Sequence, residues 1–260
     1  MSRHAPLHEQ DPTRRFTDRV GDYARYRPTY PGGAIDAVLH GLGAPGSLIA
    51  ADIGAGTGIS SRLLAERGVR VLAIEPNEAM REQGRAEPIA GPGRIEWLAG
   101  TAEQTGLEAS SVGLVLCAQA FHWFRPEHAL AEFARVLRPG GRVALVWNDR
   151  DERDAFTRGY GGLIIAASGR HPGAVSHTRP EPLLESCLFG AQRRREFPHE
   201  QLLDEGGLVG RAMSASYVPN AGAAREQLEH DLRALHRAHA APGGVAVLRY
   251  VTRVFLAEKA

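Results

Sequence analysis

Four residues in the first third of the chain have the types and spacing needed to hold a ligand. Asp52 ends a short apolar run. Three glycines then follow at alternate positions: Gly54, Gly56 and Gly58. Glycine adopts backbone angles that other residues avoid, and it lets the main chain approach a ligand closely. The stretch predicts a strand, a glycine turn and a helix, with a nucleotide-like ligand at the carboxyl end of the strand.

Two residues beside these glycines narrow the choice of ligand. A dinucleotide site has the pattern G-x-G-x-x-G, whose third glycine would fall at Ile59. Asp52 counts against a ligand with a pyrophosphate, because a carboxylate at the start of a helix repels the phosphates that such a terminus otherwise attracts. An acid in this position suits a ligand with a cationic end, such as the amino group of an amino acid.

A second acidic residue closes the next predicted strand. Glu75 follows Gly54 by 21 residues. We expect its carboxylate to accept hydrogen bonds from both hydroxyls of a ribose, which is the usual arrangement for an adenosine on this type of fold. A capping or surface role is the alternative.

Strand and helix patterns alternate as far as residue 147, which favours a parallel, doubly wound sheet. The apolar run at 112–119 is typical of a strand buried on both faces. After Asn148 the alternation stops until a long amphipathic helix and a final strand. The predicted strands are 48–53, 69–75, 94–99, 112–119, 142–147, 192–197 and 245–256, and the predicted helices are 33–40, 59–67, 78–85, 127–137, 153–168, 202–213 and 223–240.

Composition narrows the class of protein. The 260 residues are 43% hydrophobic and carry a net charge of +1, so no strong field attracts nucleic acid or an anionic membrane. Cys117 and Cys187 lack the number and spacing of a disulfide framework or a metal site. No apolar stretch is long enough to span a membrane. We expect one cytoplasmic domain over 1–260, without a metal and without nucleic-acid or membrane partners.

Five motifs occur in order and together resemble the class I S-adenosylmethionine-dependent methyltransferases. The resemblance covers about residues 16–150. The motifs are 51–58 (Ala-Asp-Ile-Gly-Ala-Gly-Thr-Gly), 74–77 (Ile-Glu-Pro-Asn), 100–103 (Gly-Thr-Ala-Glu), 116–120 (Leu-Cys-Ala-Gln-Ala) and 137–141 (Leu-Arg-Pro-Gly-Gly). A finer resemblance is to the type 11 small-molecule group that includes trans-aconitate methyltransferase-like proteins. It is carried by Tyr23 with Arg27-Pro28-Thr29-Tyr30-Pro31, by Phe-His-Trp-Phe at 121–124 and by the segment 214–219.

The resemblance implies an α/β fold with a seven-stranded sheet, ordered 3-2-1-4-5-7-6, whose last strand is antiparallel and whose faces are both covered by helices. It implies S-adenosylmethionine as cofactor, with 16–150 as the cofactor-binding core. It also implies an acceptor-side region at about 150–220, before a final helix and strand at 221–260. The residues that it assigns to the cofactor are Tyr23, Arg27, Asp52, Gly54, Ala55, Gly56, Thr57, Gly58, Glu75, Pro76, Thr101, Ala102, Glu103, Ala118, Gln119 and Ala120.

Methyl transfer is an in-line displacement at a carbon bound to a sulfonium. Excluding water and aligning the acceptor supply much of the rate, so no catalytic side chain is obligatory. His122 is the candidate general base, and the alternative, which we favour, is a wall residue of the site. Trp123 and Phe124 are expected beside the acceptor. Tyr26 and Tyr30, with Tyr23, are candidates for a lid over the sulfonium, where aromatic faces attract a cation; packing of the N-terminal segment is the alternative.

The sequence therefore predicts methyl transfer to a small-molecule acceptor. A non-catalytic S-adenosylmethionine-binding regulatory or assembly protein of the same fold is the alternative, and Ile59 and Asp52 count against an NAD-dependent oxidoreductase. A carboxylate acceptor would need arginines in the pocket, and the candidates are Arg25, Arg27, Arg153 and Arg158. The acceptor and the oligomeric state stay open at this point.

Overall fold

The computed structural model describes residues 20–175 and 178–260, so the first four residues of the expected 16–150 core lie outside the described part. The strands are β1 (Ile49–Ile53), β2 (Arg70–Ile74), β3 (Arg94–Leu98), β4 (Val112–Ala118), β5 (Leu137–Arg150), β6 (Phe189–Leu203) and β7 (Ala246–Lys259). The helices are α1 (Val20–Tyr26), α2 (Gly32–Leu39), α3 (Ile59–Glu66), α4 (Glu78–Ala86), α5 (Pro126–Val136), α6 (Ala155–Ala167), α7 (Pro172–Val175), α8 (Glu181–Leu184), α9 (Glu205–Met213) and α10 (Ala223–His239).

The strands form one seven-stranded sheet in the order β3-β2-β1-β4-β5-β7-β6. Strands β1 to β5 are parallel, and β7 runs antiparallel to both β5 and β6. The α/β fold class and the predicted strand order are therefore confirmed. Because the first five strands are parallel, their carboxyl ends lie at one edge of the sheet, where loops from distant parts of the sequence meet.

The core lies on both faces of this sheet. Along β4, Val115 and Cys117 pack into the cluster beneath α5, while Leu114 and Leu116 pack into the opposite cluster beneath α2 and α3. This alternation explains why the strand is apolar at every position. A third cluster joins α6, α9 and α10 beside the carboxyl end of β5.

Several elements differ in extent from the sequence prediction, and for three of them the structure gives a physical reason. Strand β5 begins at Leu137 rather than at residue 142, because the expected turn at 138–141 is accommodated as a bulge between two registers with β4. Strand β6 is longer than 192–197, because it pairs with β7 over nearly its whole length. The helix predicted from residue 202 begins at Glu205, because the Asp204 carboxylate caps it by accepting from the Gly207 amide at 2.6 Å.

Candidate active site

A cavity of about 580 Å³ lies at the carboxyl ends of β1, β2, β3 and β4. Two thirds of the residues proposed from the sequence line it. They come from four of the five motifs, all but the turn into β5, and from the N-terminal and 121–124 segments of the finer resemblance. The proposed residues on its wall are Tyr23, Arg27, Gly54, Gly56, Glu75, Pro76, Thr101, Ala102, Glu103, Gln119, Ala120, His122, Trp123 and Phe124.

The glycine turn forms the floor of this cavity. Gly54 has a φ of +71° and Gly56 a φ of +57°, the left-handed region that glycine adopts without strain. A Cβ atom on Gly54 would lie 2.7 Å from the Cβ of Ala120, and one on Gly56 would lie 3.6 Å from the ring of Tyr23. Because Gly54 and Gly56 have no side chains, Ala120 and Tyr23 of the cavity wall can pack closely against the turn.

The carboxylate of Glu75 is held by main-chain amides at the end of β2. Its Oε2 accepts from the Gly56 amide at 2.9 Å, and its Oε1 accepts from the Asn77 amide at 3.0 Å. Burial raises the pKa of Glu75, and these two hydrogen bonds oppose that rise. Each carboxylate oxygen has two acceptor sites, so both oxygens can accept one further hydrogen bond.

Asp52 does not reach the cavity, which corrects the expectation that its carboxylate faces the cationic end of the ligand. The side chain is fully buried beneath the glycine turn. Its Oδ2 accepts from the hydroxyls of Ser60 at 2.7 Å and Ser61 at 2.5 Å, both in the first turn of α3. Burial raises the pKa of Asp52 to about 6, against the lowering effect of those bonds. Four neighbouring residues from the same proposal also lie off the cavity wall: Ala55, Thr57, Gly58 and Ala118.

Two of the three tyrosines proposed as a lid pack elsewhere. The ring of Tyr26 lies against Gly210 of α9, where an added Cβ would be 2.3 Å from it. Tyr30 is buried in the core beneath α2. Neither lines the cavity. Tyr23 does, with the Arg27 guanidinium stacked 4.7 Å from its ring centroid.

His122 lies in a 3₁₀ turn between β4 and α5 and lines the cavity. The indole Nε1–H of Trp147 donates to Nδ1 of His122 at 3.3 Å. An indole nitrogen only donates, so Nδ1 is the acceptor and the neutral imidazole carries its hydrogen on Nε2. In this tautomer the imidazole presents a donor rather than a base at Nε2.

Gln119 precedes this turn with a φ of +56°, which is uncommon outside glycine. Its amide donates to the Val146 carbonyl at 2.8 Å, and its Nε2 donates to the Asn148 carbonyl at 3.1 Å. These bonds to β5 hold the residue in a conformation that costs free energy, as is common at functional sites.

Comparison with known proteins decides the family. A model described as a methyltransferase domain matches residues 51–145. A protein of Mycobacterium tuberculosis, named an uncharacterized methyltransferase, is 40% identical over 243 residues, which cover 91% of this chain and 92% of that protein. The chain belongs to the methyltransferase family. An uncharacterized methyltransferase-like protein of Schizosaccharomyces pombe is 38% identical over 196 residues, 75% of each chain.

Solved structures agree with this assignment. A protein of Anaeromyxobacter dehalogenans, described as a candidate type II methyltransferase, superposes with a TM-score of 0.63 at 27% identity, covering 90% of this chain and 97% of that one. S-adenosylmethionine is the cofactor of this methyltransferase, as its family and fold together indicate. The cavity fits that group, because bare main chain at Gly54 and Gly56 lies beside the paired carboxylate oxygens of Glu75.

Six further residues of the methyltransferase line the cavity without having been proposed: Asn77, Met80, Gly100, Arg125, Ser216 and Tyr217. Asn77 caps α4 by accepting from the Met80 amide at 3.1 Å, and its position before that helix could have revealed it. Ser216 and Tyr217 belong to the segment 214–219 that carries the finer resemblance, but the sequence assigned neither a role in the site. The Tyr217 ring stacks on His171, with ring centroids 5.7 Å apart.

The region expected on the acceptor side, at about 150–220, contributes only Ser216 and Tyr217 to the cavity among its described residues. Arg153 pairs with Asp151, and Arg158 donates to the Glu152 carbonyl, away from the cavity. Arg25 stacks on the ring of Tyr26. Of the four arginines considered for a carboxylate acceptor, Arg27 lines the cavity.

Residues 20–175 and 178–260 include no helix that is long and apolar enough to cross a membrane. They also contain no cluster of three or more histidine, cysteine or acidic side chains that could hold a metal ion.

Proposed function

We propose that this methyltransferase transfers the methyl group of S-adenosylmethionine to a small-molecule acceptor that enters the same cavity. The observation that carries the proposal is the cavity itself. Its volume of about 580 Å³ lies within the range of small-ligand pockets, and the aromatic side chains of Tyr23 and Tyr217 are part of its wall. A protein or nucleic-acid acceptor would need a broader groove.

The strand order supports one placement of the cofactor. Glu75 follows β2, so its carboxylate is suited to the ribose hydroxyls. The turn with Thr101, Ala102 and Glu103 follows β3, on the outer side of β2, and suits the adenine. The ends of β1 and β4 lie on the inner side, so Gly54 and Gln119 are left for the methionine part.

Bound S-adenosylmethionine supplies an electrophilic methyl carbon on a sulfonium. The protein contributes alignment and the exclusion of water, which together account for much of the rate of such a displacement. Tyr23 and Trp123 place aromatic rings on the cavity wall, and aromatic faces attract a cation.

His122 serves as a donor that positions the acceptor in this proposal. Accepting the Trp147 indole N–H fixes the hydrogen on Nε2. A general base at Nε2 would require the opposite tautomer, which sets two donors against each other at the Trp147 contact. An acceptor that needs no proton removed, or that loses its proton to water, fits this arrangement.

Two measurements test the proposal. Calorimetry should give tight binding of S-adenosylhomocysteine and weak binding of NAD; the reverse order would contradict the methyl-donor assignment. Incubation with methyl-labelled S-adenosylmethionine and a cell extract should place the label in the small-molecule fraction. Label found in protein or nucleic acid, and absent from small molecules, would overturn the acceptor class while leaving the cofactor assignment intact.

A further inference from the structure

We propose that the nucleophile of the acceptor is a neutral amine nitrogen, and that its N–H group donates a hydrogen bond to the side-chain oxygen of Gln119. The inference rests on the proposed function and names the substrate class of that site. It is supported by the orientation of the Gln119 amide, by its place along the cavity and by the other groups on the wall.

The amide of Gln119 is oriented by the end of β5. Its Nε2 donates to the main-chain carbonyl of Asn148 at 3.1 Å. A carbonyl only accepts, so the N–H₂ group faces Asn148 and Oε1 is the remaining group of the amide. Among residues 20–175 and 178–260, no group donates to this oxygen, and it is not buried. Because Gln119 lines the cavity, Oε1 is available to accept from a ligand there.

The side chain of Gln119 extends past the place proposed for the methionine part. The residue follows β4, and its side chain reaches Asn148 in β5, the next strand on the side away from β1. His122 is joined to the same strand, because it accepts from the indole of Trp147. The cofactor is assigned to the ends of β3, β2, β1 and β4, so the end of β5 is left for the acceptor.

Oε1 of Gln119 opposes a carboxylate as the nucleophile. An ionised carboxylate has no hydrogen to donate, and its lone pairs would repel those of Oε1. Arg27, the arginine that could pair with a carboxylate, stacks on Tyr23, which covers Gly56 in the turn after β1 rather than the end of β5.

The described wall also lacks a base for a hydroxyl nucleophile. A hydroxyl can donate to Oε1, but it is weakly nucleophilic until a base removes its proton. His122 holds its hydrogen on Nε2, and the carboxylates of Glu75 and Glu103 follow β2 and β3 rather than β5. A neutral amine donates through its N–H and attacks with its lone pair, so no proton has to be removed first.

Methyl transfer strengthens the hydrogen bond to Gln119. The nitrogen lone pair forms the new N–C bond while the C–S bond breaks and leaves its electron pair on sulfur. Positive charge therefore moves from the sulfonium to the nitrogen, whose N–H becomes a stronger donor, and an interaction that strengthens in the transition state raises kcat. Trp123 and Tyr217 place aromatic rings on the cavity wall, which also favour a cation. The product ammonium then releases its proton to water.

The first test identifies the bond that is formed. The protein is incubated with methyl-labelled S-adenosylmethionine and a cell extract, and carbon NMR of the small-molecule fraction shows whether the labelled carbon is attached to nitrogen, oxygen or carbon. We expect attachment to nitrogen. A methyl ester, a methyl ether or a new C–C bond would overturn the inference and leave the proposed function intact. A small-molecule fraction without label would contradict the proposed function itself.

The second test assigns the contact to Gln119, with the acceptor-containing fraction of the extract as substrate. Gln119→Met keeps the length of the side chain and removes its hydrogen-bonding groups. It should lower kcat by about tenfold to a hundredfold, the value of a hydrogen bond to a charged group, and leave the affinity for S-adenosylhomocysteine nearly unchanged. Gln227→Met is the matched control, because Gln227 is exposed on α10 and does not line the cavity. It should behave as the unaltered protein does.

Gln119→Glu separates the contact with the acceptor from the link to β5, since glutamate keeps an accepting oxygen but cannot donate to Asn148. It should retain more of kcat than Gln119→Met. Equal losses in the two variants would mean that Gln119 acts through β5, and an unchanged kcat in Gln119→Met would remove it from the reaction. A loss of S-adenosylhomocysteine affinity as large as the loss of kcat would assign it to the cofactor. Thermal unfolding of each variant identifies any loss of folding, and the product test stands without the variants.

Discussion

The main-chain amide of Gly56 donates a hydrogen bond to Oε2 of Glu75 at 2.9 Å, so the glycine turn after β1 and the acid after β2 form one structural unit. Strands β1 and β2 are neighbours in parallel register, which places their carboxyl ends side by side. The Asn77 amide holds the other oxygen of the carboxylate. The acid is therefore oriented before any ligand binds, and preorganisation of this kind reduces the cost of binding.

Glu75→Gln should weaken S-adenosylhomocysteine binding by about tenfold or more, because a ribose hydroxyl loses a charged acceptor. The amide also turns an N–H₂ group toward the amide of Gly56 or Asn77, where two donors then oppose each other. Calorimetry measures the change.

Glu82→Gln is the control for this substitution, since Glu82 is exposed on α4 and does not line the cavity. It should bind as the unaltered protein does. The 2′-deoxy analogue of S-adenosylhomocysteine adds a second check: Glu75→Gln should discriminate against it less than the unaltered protein does. Equal discrimination by both proteins would remove Glu75 from the ribose.

Asp52→Asn should change how stability depends on pH. Burial raises the pKa of Asp52 from 3.8 to about 6, so the folded protein binds this proton more tightly than the unfolded chain does. Protonated Asp52 therefore makes its full contribution to stability when the pH is below the ordinary pKa of 3.8. This contribution is lost as the pH rises through the raised pKa of about 6. The linked free energy is about 3 kcal/mol across that interval.

Urea unfolding of both proteins at several pH values isolates this contribution, because other titrating groups cancel in the difference. Asparagine keeps an acceptor for the hydroxyls of Ser60 and Ser61 and carries no charge. The variant should gain stability relative to the unaltered protein as the pH rises from 4 to 7, a window taken from the ordinary and raised pKa values. A difference that stays constant over this window would show that Asp52 has an ordinary pKa.

These residues also show how far the sequence alone could be interpreted. Alternating patterns were enough to predict the sheet, and strand ends were enough to predict the edge that carries the site. Asp52 and Glu75 have similar sequence contexts, yet one carboxylate accepts from two serine hydroxyls of α3 beneath the turn and the other lines the cavity. The direction of each side chain depends on the exact end of its strand, which a sequence pattern locates only to within a few residues.

Helical spacing could not have separated the tyrosines. Tyr26 lies three residues from Tyr23 and Arg27 lies four, and both spacings put residues on one side of a helix. The structure nevertheless packs Tyr26 against Gly210, while Arg27 stacks on Tyr23. Ser216 and Tyr217 are a different case, because only the packing of α9 brings them beside α1. The family resemblance marks the segment 214–219, but a local pattern does not show that long-range packing brings it to the cavity.

His122→Ala should leave the affinity for S-adenosylhomocysteine nearly unchanged and lower kcat/KM by about tenfold or less, which is less than the loss expected for a general base. His122→Gln should recover part of the loss, because its amide can still donate. A decrease of a hundredfold or more in the alanine variant, with a shifted pH profile of kcat, would indicate that His122 removes a proton from the acceptor.

Gly54→Ala should disrupt both folding and the cofactor site. Gly43 provides the comparison: its φ of +87° resembles the +71° of Gly54, but a Cβ there would meet nothing within 4 Å. Both alanine variants carry the strain of a left-handed residue, about 1 kcal/mol. Only the variant at Gly54 also collides with Ala120 and Phe124, which adds about 1–3 kcal/mol of overpacking.

Chemical unfolding should therefore show a larger loss of stability for Gly54→Ala than for Gly43→Ala, and calorimetry should show weaker S-adenosylhomocysteine binding for Gly54→Ala alone. The nearest atom to the added methyl group is the Cβ of Ala120, at 2.7 Å. Adding Ala120→Gly removes that atom and should restore part of both losses, since the two sites are in contact and their effects are coupled. Equal losses in the two single variants would mean that backbone strain, rather than the packed wall of the cavity, sets the requirement for glycine.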